Sequence, residues 1–81
     1  AMGELVASRI YLRRIEDAME RLPQGIPEKV TVLVPKGDIS MAVGQKKTNI
    51  LRIKNKYNVK SLHFLENPAL IRYNIVLENS Q

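Results

Sequence analysis

Met41-Ala42-Val43-Gly44-Gln45-Lys46-Lys47-Thr48-Asn49-Ile50 is the stretch on which the fold turns. An apolar run reaches a glycine, passes through two lysines and re-enters an apolar pattern of helical spacing. A turn of this kind sets backbone N–H groups beside cationic side chains at a helix start, which suits a phosphate.

Upstream of this stretch, Asp38 is placed to cap a short helix through Val43, with Ile39, Ala42 and Val43 on its buried face. Pro35-Lys36-Gly37 precedes it and ends a strand over residues 29–34, where Val30, Val32 and Val34 alternate with Thr31 and Leu33. Downstream, residues 48–57 form a second helix with Ile50, Ile53 and Tyr57 inward and Arg52, Lys54 and Lys56 outward. Asn58 tolerates the left-handed conformation that closes a helix. Two strands follow, about 59–65 and 71–77, joined by Glu66-Asn67-Pro68-Ala69 as a hairpin-like loop. In the last strand Ile71, Tyr73, Ile75 and Leu77 share one face.

The chain opens with a helix over residues 4–22, in which Leu5, Ile10 or Leu12, Ile15, Met19 and Leu22 recur at steps near three and four. Glu4 and Arg21 suit its two ends electrostatically. Pro23-Gln24-Gly25 stops it. Arg9, Arg13, Arg14 and Arg21 among Glu16, Asp17 and Glu20 read as a solvated, ion-paired face. Ala1-Met2-Gly3 reads as a cloning remnant, residues 29–78 as the core of a single domain, and Asn79-Ser80-Gln81 as a frayed tail.

Eighty-one residues allow one modest core. With three tyrosines, one phenylalanine and no tryptophan, that core must be mainly Ile, Leu and Val. The absence of cysteine removes disulfides, thiolate metal sites and cysteine nucleophiles, and fits a reducing cytoplasm. No apolar run approaches the roughly 20 residues of a membrane span, so no membrane insertion is expected. The single histidine, His63, has no partner for a metal. Asp38 and Glu66 lack a pairing suited to acid–base catalysis, and no nucleotide-loop or nucleophile motif is present. No enzyme activity, cofactor or metal is therefore expected.

The charge is unevenly placed. Of the formal +5, the segment 36–60 alone carries +6, from Lys36, Lys46, Lys47, Arg52, Lys54, Lys56 and Lys60 against Asp38. Such clustering points to an anionic partner, nucleic acid first.

The order strand, short helix, aliphatic-glycine pair, basic loop, amphipathic helix, strand resembles a KH domain. Its local wording is most similar to the KH domains of NusA-type transcription factors, approximately leucine-alanine-isoleucine-glycine-x-x-glycine-x-asparagine-valine. The resemblance covers about residues 29–65. It implies a non-enzymatic module binding single-stranded RNA, with single-stranded DNA as a further ligand, whose loop lies on the nucleic-acid backbone while about four nucleotides thread a groove between helices and sheet. On that resemblance Gly44, Gln45, Lys46 and Lys47 meet the backbone, Asn49 matches the family's asparagine, and Val43 and Ile50 close the apolar floor, with Leu62 or Phe64 contributing from the next strand. Arg52 and Lys36 add charge nearby.

Two departures stand out. Lys47 replaces the family's second loop glycine, and the extra strand follows the helical pair, as in eukaryotic-type members, without their final helix. The fold expected is α+β and KH-like, of order α-β-α-α-β-β, with a three-stranded sheet, helices on one face, and the last two strands paired antiparallel. The alternative to RNA binding is a degenerate KH-like domain serving protein interaction or homo-oligomeric assembly, through an open sheet edge or the N-terminal helix.

Overall fold

A computed structural model describes residues 2–22 and 25–79, with side chains from residue 6 to residue 78. The expectations for the Glu4 and Leu5 side chains, the Pro23-Gln24 stop and the Ser80-Gln81 tail lie outside the described residues. Along the chain come α1 (Met2–Glu20), β1 (Lys29–Val34), α2 (Ile39–Val43), a tight basic loop, α3 (Thr48–Tyr57), β2 (Ser61–Glu66) and β3 (Val76–Asn79). This is an α+β fold with the expected element order.

The sheet differs from expectation in its pairing. β2 and β3 do not form a hairpin; they flank β1, in the order β2-β1-β3, with β2 parallel and β3 antiparallel to it. The reason lies in β1. Val30, Val32 and Val34 are all but inaccessible on one face, and Thr31 is buried on the other. A strand whose backbone is buried over Val30–Val32 and at Val34 must satisfy both of its hydrogen-bonding edges within the sheet. The chain therefore leaves β2, crosses the end of β1 and descends along the far edge. Asn67 N–H donates to the Val34 carbonyl (2.8 Å) as the crossing begins.

That crossing is why the last strand begins late. Residues 71–75 are a turn, closed by Asn74 N–H to the Ile71 carbonyl (2.8 Å), so Ile71 does not share the inward face and is 71% exposed. Tyr73, Ile75 and Leu77 do pack on the core.

On the covered face, Ala7, Tyr11, Ile15 and Met19 form the buried stripe of α1 at a spacing of four, against the β1 valines, Ile53, Val59 and Leu62. Tyr11 rather than Ile10 occupies the centre. Leu62 and Phe64 belong to this core. The second helix ends as expected, with Asn58 left-handed (φ 57, ψ 39) and its N–H on the Lys54 carbonyl.

Asp38 precedes α2 without making a side-chain cap. Its buried carboxylate instead accepts the Tyr11 hydroxyl and both arms of Arg72, Nε at 2.8 Å and Nη2 at 2.7 Å. Tyr73 then meets Tyr11 edge-on, 5.3 Å between centroids. The Arg72 guanidinium holds the Asp38 carboxyl below its usual range, against the opposing effect of burial, and the Tyr11 hydroxyl lowers it further. Burial first, and the hydrogen bond to Asp38 second, push the Tyr11 phenol up.

Tyr11→Phe keeps the ring and removes one donor to a buried carboxylate, so urea unfolding at neutral pH should show a loss of about 1–2 kcal/mol. The depressed Asp38 contributes stability above its ordinary 3.8 that is lost as pH falls through the folded value. The raised Tyr11 contributes stability below its ordinary 10.0 that is lost as pH rises above it. Thermal midpoints across pH should therefore hold level between these limits and fall outside them, with the acid limb flattened in Asp38→Asn.

Candidate nucleic-acid interface

The loop joining α2 to α3 is built on backbone that ordinary residues avoid. Gly44 has φ 84 and ψ 161, a region left essentially to glycine. A methyl group there would also sit 2.7 Å from Thr48 Oγ1 and 3.0 Å from Asn49 Cγ. Lys46 (φ 55, ψ 32) and Lys47 (φ 60, ψ 28) are both left-handed, and Thr48 N–H closes on the Gln45 carbonyl. Two left-handed residues inside such a closure make a type I′ turn, which ordinarily takes asparagine and glycine. Lys47 thus keeps the backbone conformation of a glycine while carrying a charge.

Asn49 explains the room that Gly44 leaves. Its amide nitrogen donates to the Ala42 carbonyl at the end of α2 and to the Ser8 carbonyl of α1, each at 3.0 Å. The side chain is buried, and it ties α1, α2 and α3 together directly beneath the loop. Gly44 and Asn49 form one device: the asparagine fits because the glycine has no side chain.

Over this staple lies a groove of about 890 Å³. Ser8, Arg9 and Leu12 of α1 form one side, Ser40 and Met41 of α2 the other, and Gly44, Gln45 and Lys46 with Thr48, Asn49 and Arg52 close its end. Three of these residues are cationic and none is acidic. The groove runs between α1 and the helical pair, not between helices and sheet, because Leu62 and Phe64 are already packed in the core. Of the residues singled out from sequence, Gly44, Gln45, Lys46, Asn49 and Arg52 meet here. Lys47 is exposed in the same turn but does not line the groove, and Lys36 lies at the opposite end of α2. Val43 and Ile50 are half-buried, and Ile50 packs on the core.

The ion pairs sharpen the charge pattern. Lys56 reaches Glu16 (3.2 Å) and Glu20 (3.7 Å), and Lys60 reaches Glu28 (3.6 Å). Lys46, Lys47 and Arg52 have no such partner among the described residues. The same contacts overturn the ion-paired reading of α1. Its acids Glu16 and Glu20 cross to α3, and none of Arg9, Arg13, Arg14 and Arg21 pairs with an acid among the described residues. Arg9, hidden in sequence among those arginines, is the groove residue that periodicity missed; its one-sided signal is its place beside Ser8 and Leu12 on the flank of the buried stripe.

No family model, curated protein or solved structure matches the chain. Among the described residues, no helix is long and apolar enough to cross a membrane.

The two positions where the motif it resembles carries glycine should respond in opposite directions. Lys47→Gly relieves one left-handed side chain and should stabilise by about 1 kcal/mol, which for a domain of this size raises the melting midpoint by roughly 4–8 °C. Gly44→Ala should destabilise by about 2–3 kcal/mol through its dihedrals and its contact with the Asn49 staple. Calorimetry on the two variants decides both.

Proposed function

We propose that this chain is a non-enzymatic, KH-type module that binds single-stranded RNA in the cytoplasm through the basic loop and the start of α3. The observation that carries this reading is the left-handed Lys46–Lys47 turn, with no side-chain cap on the N-terminus of α3 behind it. The turn keeps backbone a glycine-containing loop would have, and it sets two cations where the helix dipole already favours an anion. Arg52, one turn along α3, extends the positive edge into the groove. Binding of this kind draws most of its affinity from phosphate neutralisation and is steeply salt-dependent.

A titration of fluorescent RNA over a range of salt concentrations tests it. With three phosphate contacts, the logarithm of the affinity should fall with the logarithm of salt at a slope of about −2. Lys46→Glu with Lys47→Glu should abolish most of that slope and sharply weaken binding, while the thermal midpoint stays nearly unchanged. A wild-type chain that shows no salt-dependent binding to RNA sinks the proposal. A parallel series with single-stranded DNA of the same sequence reports on the 2′-hydroxyl.

One observation favours a second reading, assembly through the sheet. On the face away from the helices, Leu65, Leu33 and Val76 stand side by side in register, and Leu65 is 54% and Val76 41% exposed. Both β2 and β3 also present a free edge. Light scattering without RNA separates the two: a defined oligomer that Leu65→Lys returns to monomer supports assembly, and a monomer at all concentrations removes it.

A further inference from the structure

We infer that α1 is the second wall of the RNA site, and that the Arg9 guanidinium is the platform on which a base of the bound strand stacks. The inference rests on the RNA reading above and extends it from backbone to base.

The groove is not symmetric in its chemistry. Its cations Lys46 and Arg52 stand at the loop end, whereas Arg9 faces them from α1. Between them the lining offers the apolar side chains of Leu12 and Met41, both half-buried against the core, and the hydroxyl-bearing Ser40. A strand with phosphates along the loop has its bases directed at this floor. The occupant must combine negative charge with flat apolar surface, because the lining holds three cations, no acid and an apolar base. Single-stranded RNA has both; an acidic peptide has the charge alone.

Proteins that seat unpaired bases usually stack them on aromatic rings or on arginine guanidinium planes. No ring lines the groove, and exposed His63 lies away from it in β2. Tyr11 is fully buried, and Tyr57, Tyr73 and Phe64 are packed against the core. The planar cations at the groove are the guanidinium groups of Arg9 and Arg52. Arg52 shares the α3 edge with the phosphate contacts, which leaves Arg9, exposed and without an acid partner among the described residues, to cover the base from the other side. The position of α1 is fixed for this by the Asn49 amide on the Ser8 carbonyl, one residue before Arg9.

A charge-conserving substitution isolates the claim, because lysine keeps the cation and lacks the plane. The probe is a labelled RNA about eight nucleotides long, twice the roughly four that such a loop clamps, beside an abasic strand of the same length. The wild type should bind the RNA more tightly than the abasic strand. Arg9→Lys should weaken RNA binding by roughly tenfold, leave the salt slope unchanged and leave the abasic strand unaffected. Arg13→Lys, on the same helix but away from the groove, should match the wild type. If Arg9→Lys binds RNA like the wild type while Lys46→Glu with Lys47→Glu still abolishes binding, α1 is not a wall of the site and the loop reading stands alone. Equal wild-type affinity for RNA and abasic strand, or displacement of the RNA by poly-glutamate at matched charge, overturns the inference as well. No RNA binding by the wild type at all removes the parent reading and this one together.

Discussion

A buried carboxylate holds the fold in register. Asp38 brings together residues 27 and 34 positions away, Tyr11 in the middle of α1 and Arg72 in the crossing between β2 and β3. A carboxylate out of water is costly unless both oxygens are engaged, and here they accept a bidentate guanidinium and a phenol. Removing either donor leaves the charge short of a partner, so the three segments are fixed jointly. The arrangement matters beyond stability, because it seats α1 over the sheet and leads directly into α2 and the basic loop. In a chain of this size, with a core of short aliphatic residues, one well-satisfied polar node can specify geometry that apolar contacts alone leave loose.

A second polar node, Asn49, converts that geometry into a site. It binds carbonyls of α1 and α2 and fits beneath Gly44. The two nodes act at opposite ends of the five-residue helix α2, one before its start and one past its end. Between them they tie α1 to both ends of α2, whose Ser40 and Met41 form a wall of the groove. The loop above is strained by its two left-handed lysines, and strain of that sort persists only where the surroundings over-determine the backbone.

Much of this was legible in the residues. The valine alternation of β1, the stop at Pro35-Lys36-Gly37, the Asn58 cap and the Gly44 turn are local signals, and the elements lie within a few residues of where those signals put them. What sequence could not supply was anything settled across long separations. The pairing of β3 with β1 follows from an unsatisfied edge on β1, which no local pattern reports. Tyr11, Asp38 and Arg72 are each unremarkable alone: a mid-helix tyrosine, a capping residue, an outward arginine. Helix spacing places acids near Arg9 and predicts an ion-paired face; Glu16 and Glu20 instead answer Lys56. Asn49 matched a motif position, but its hydrogen bonds to two separate helices are visible only in three dimensions.

The central position of β1 has a consequence for how the chain is made. β1 leaves the ribosome before either strand that pairs with it: its parallel partner ends at Glu66 and its antiparallel partner at Asn79. Until those residues emerge, Val30, Val32 and Val34 lack their ladder partners, and only the α1 stripe with Ala42, Ile53 and Val59 is there to cover them. Local helices can form early, whereas the sheet waits for contacts that close long loops. Exposed strand edges and apolar stripes in incomplete chains are what chaperones recognise and what aggregates. For this domain the vulnerable interval falls between completion of β2 and the arrival of the strand that seals the other edge of β1.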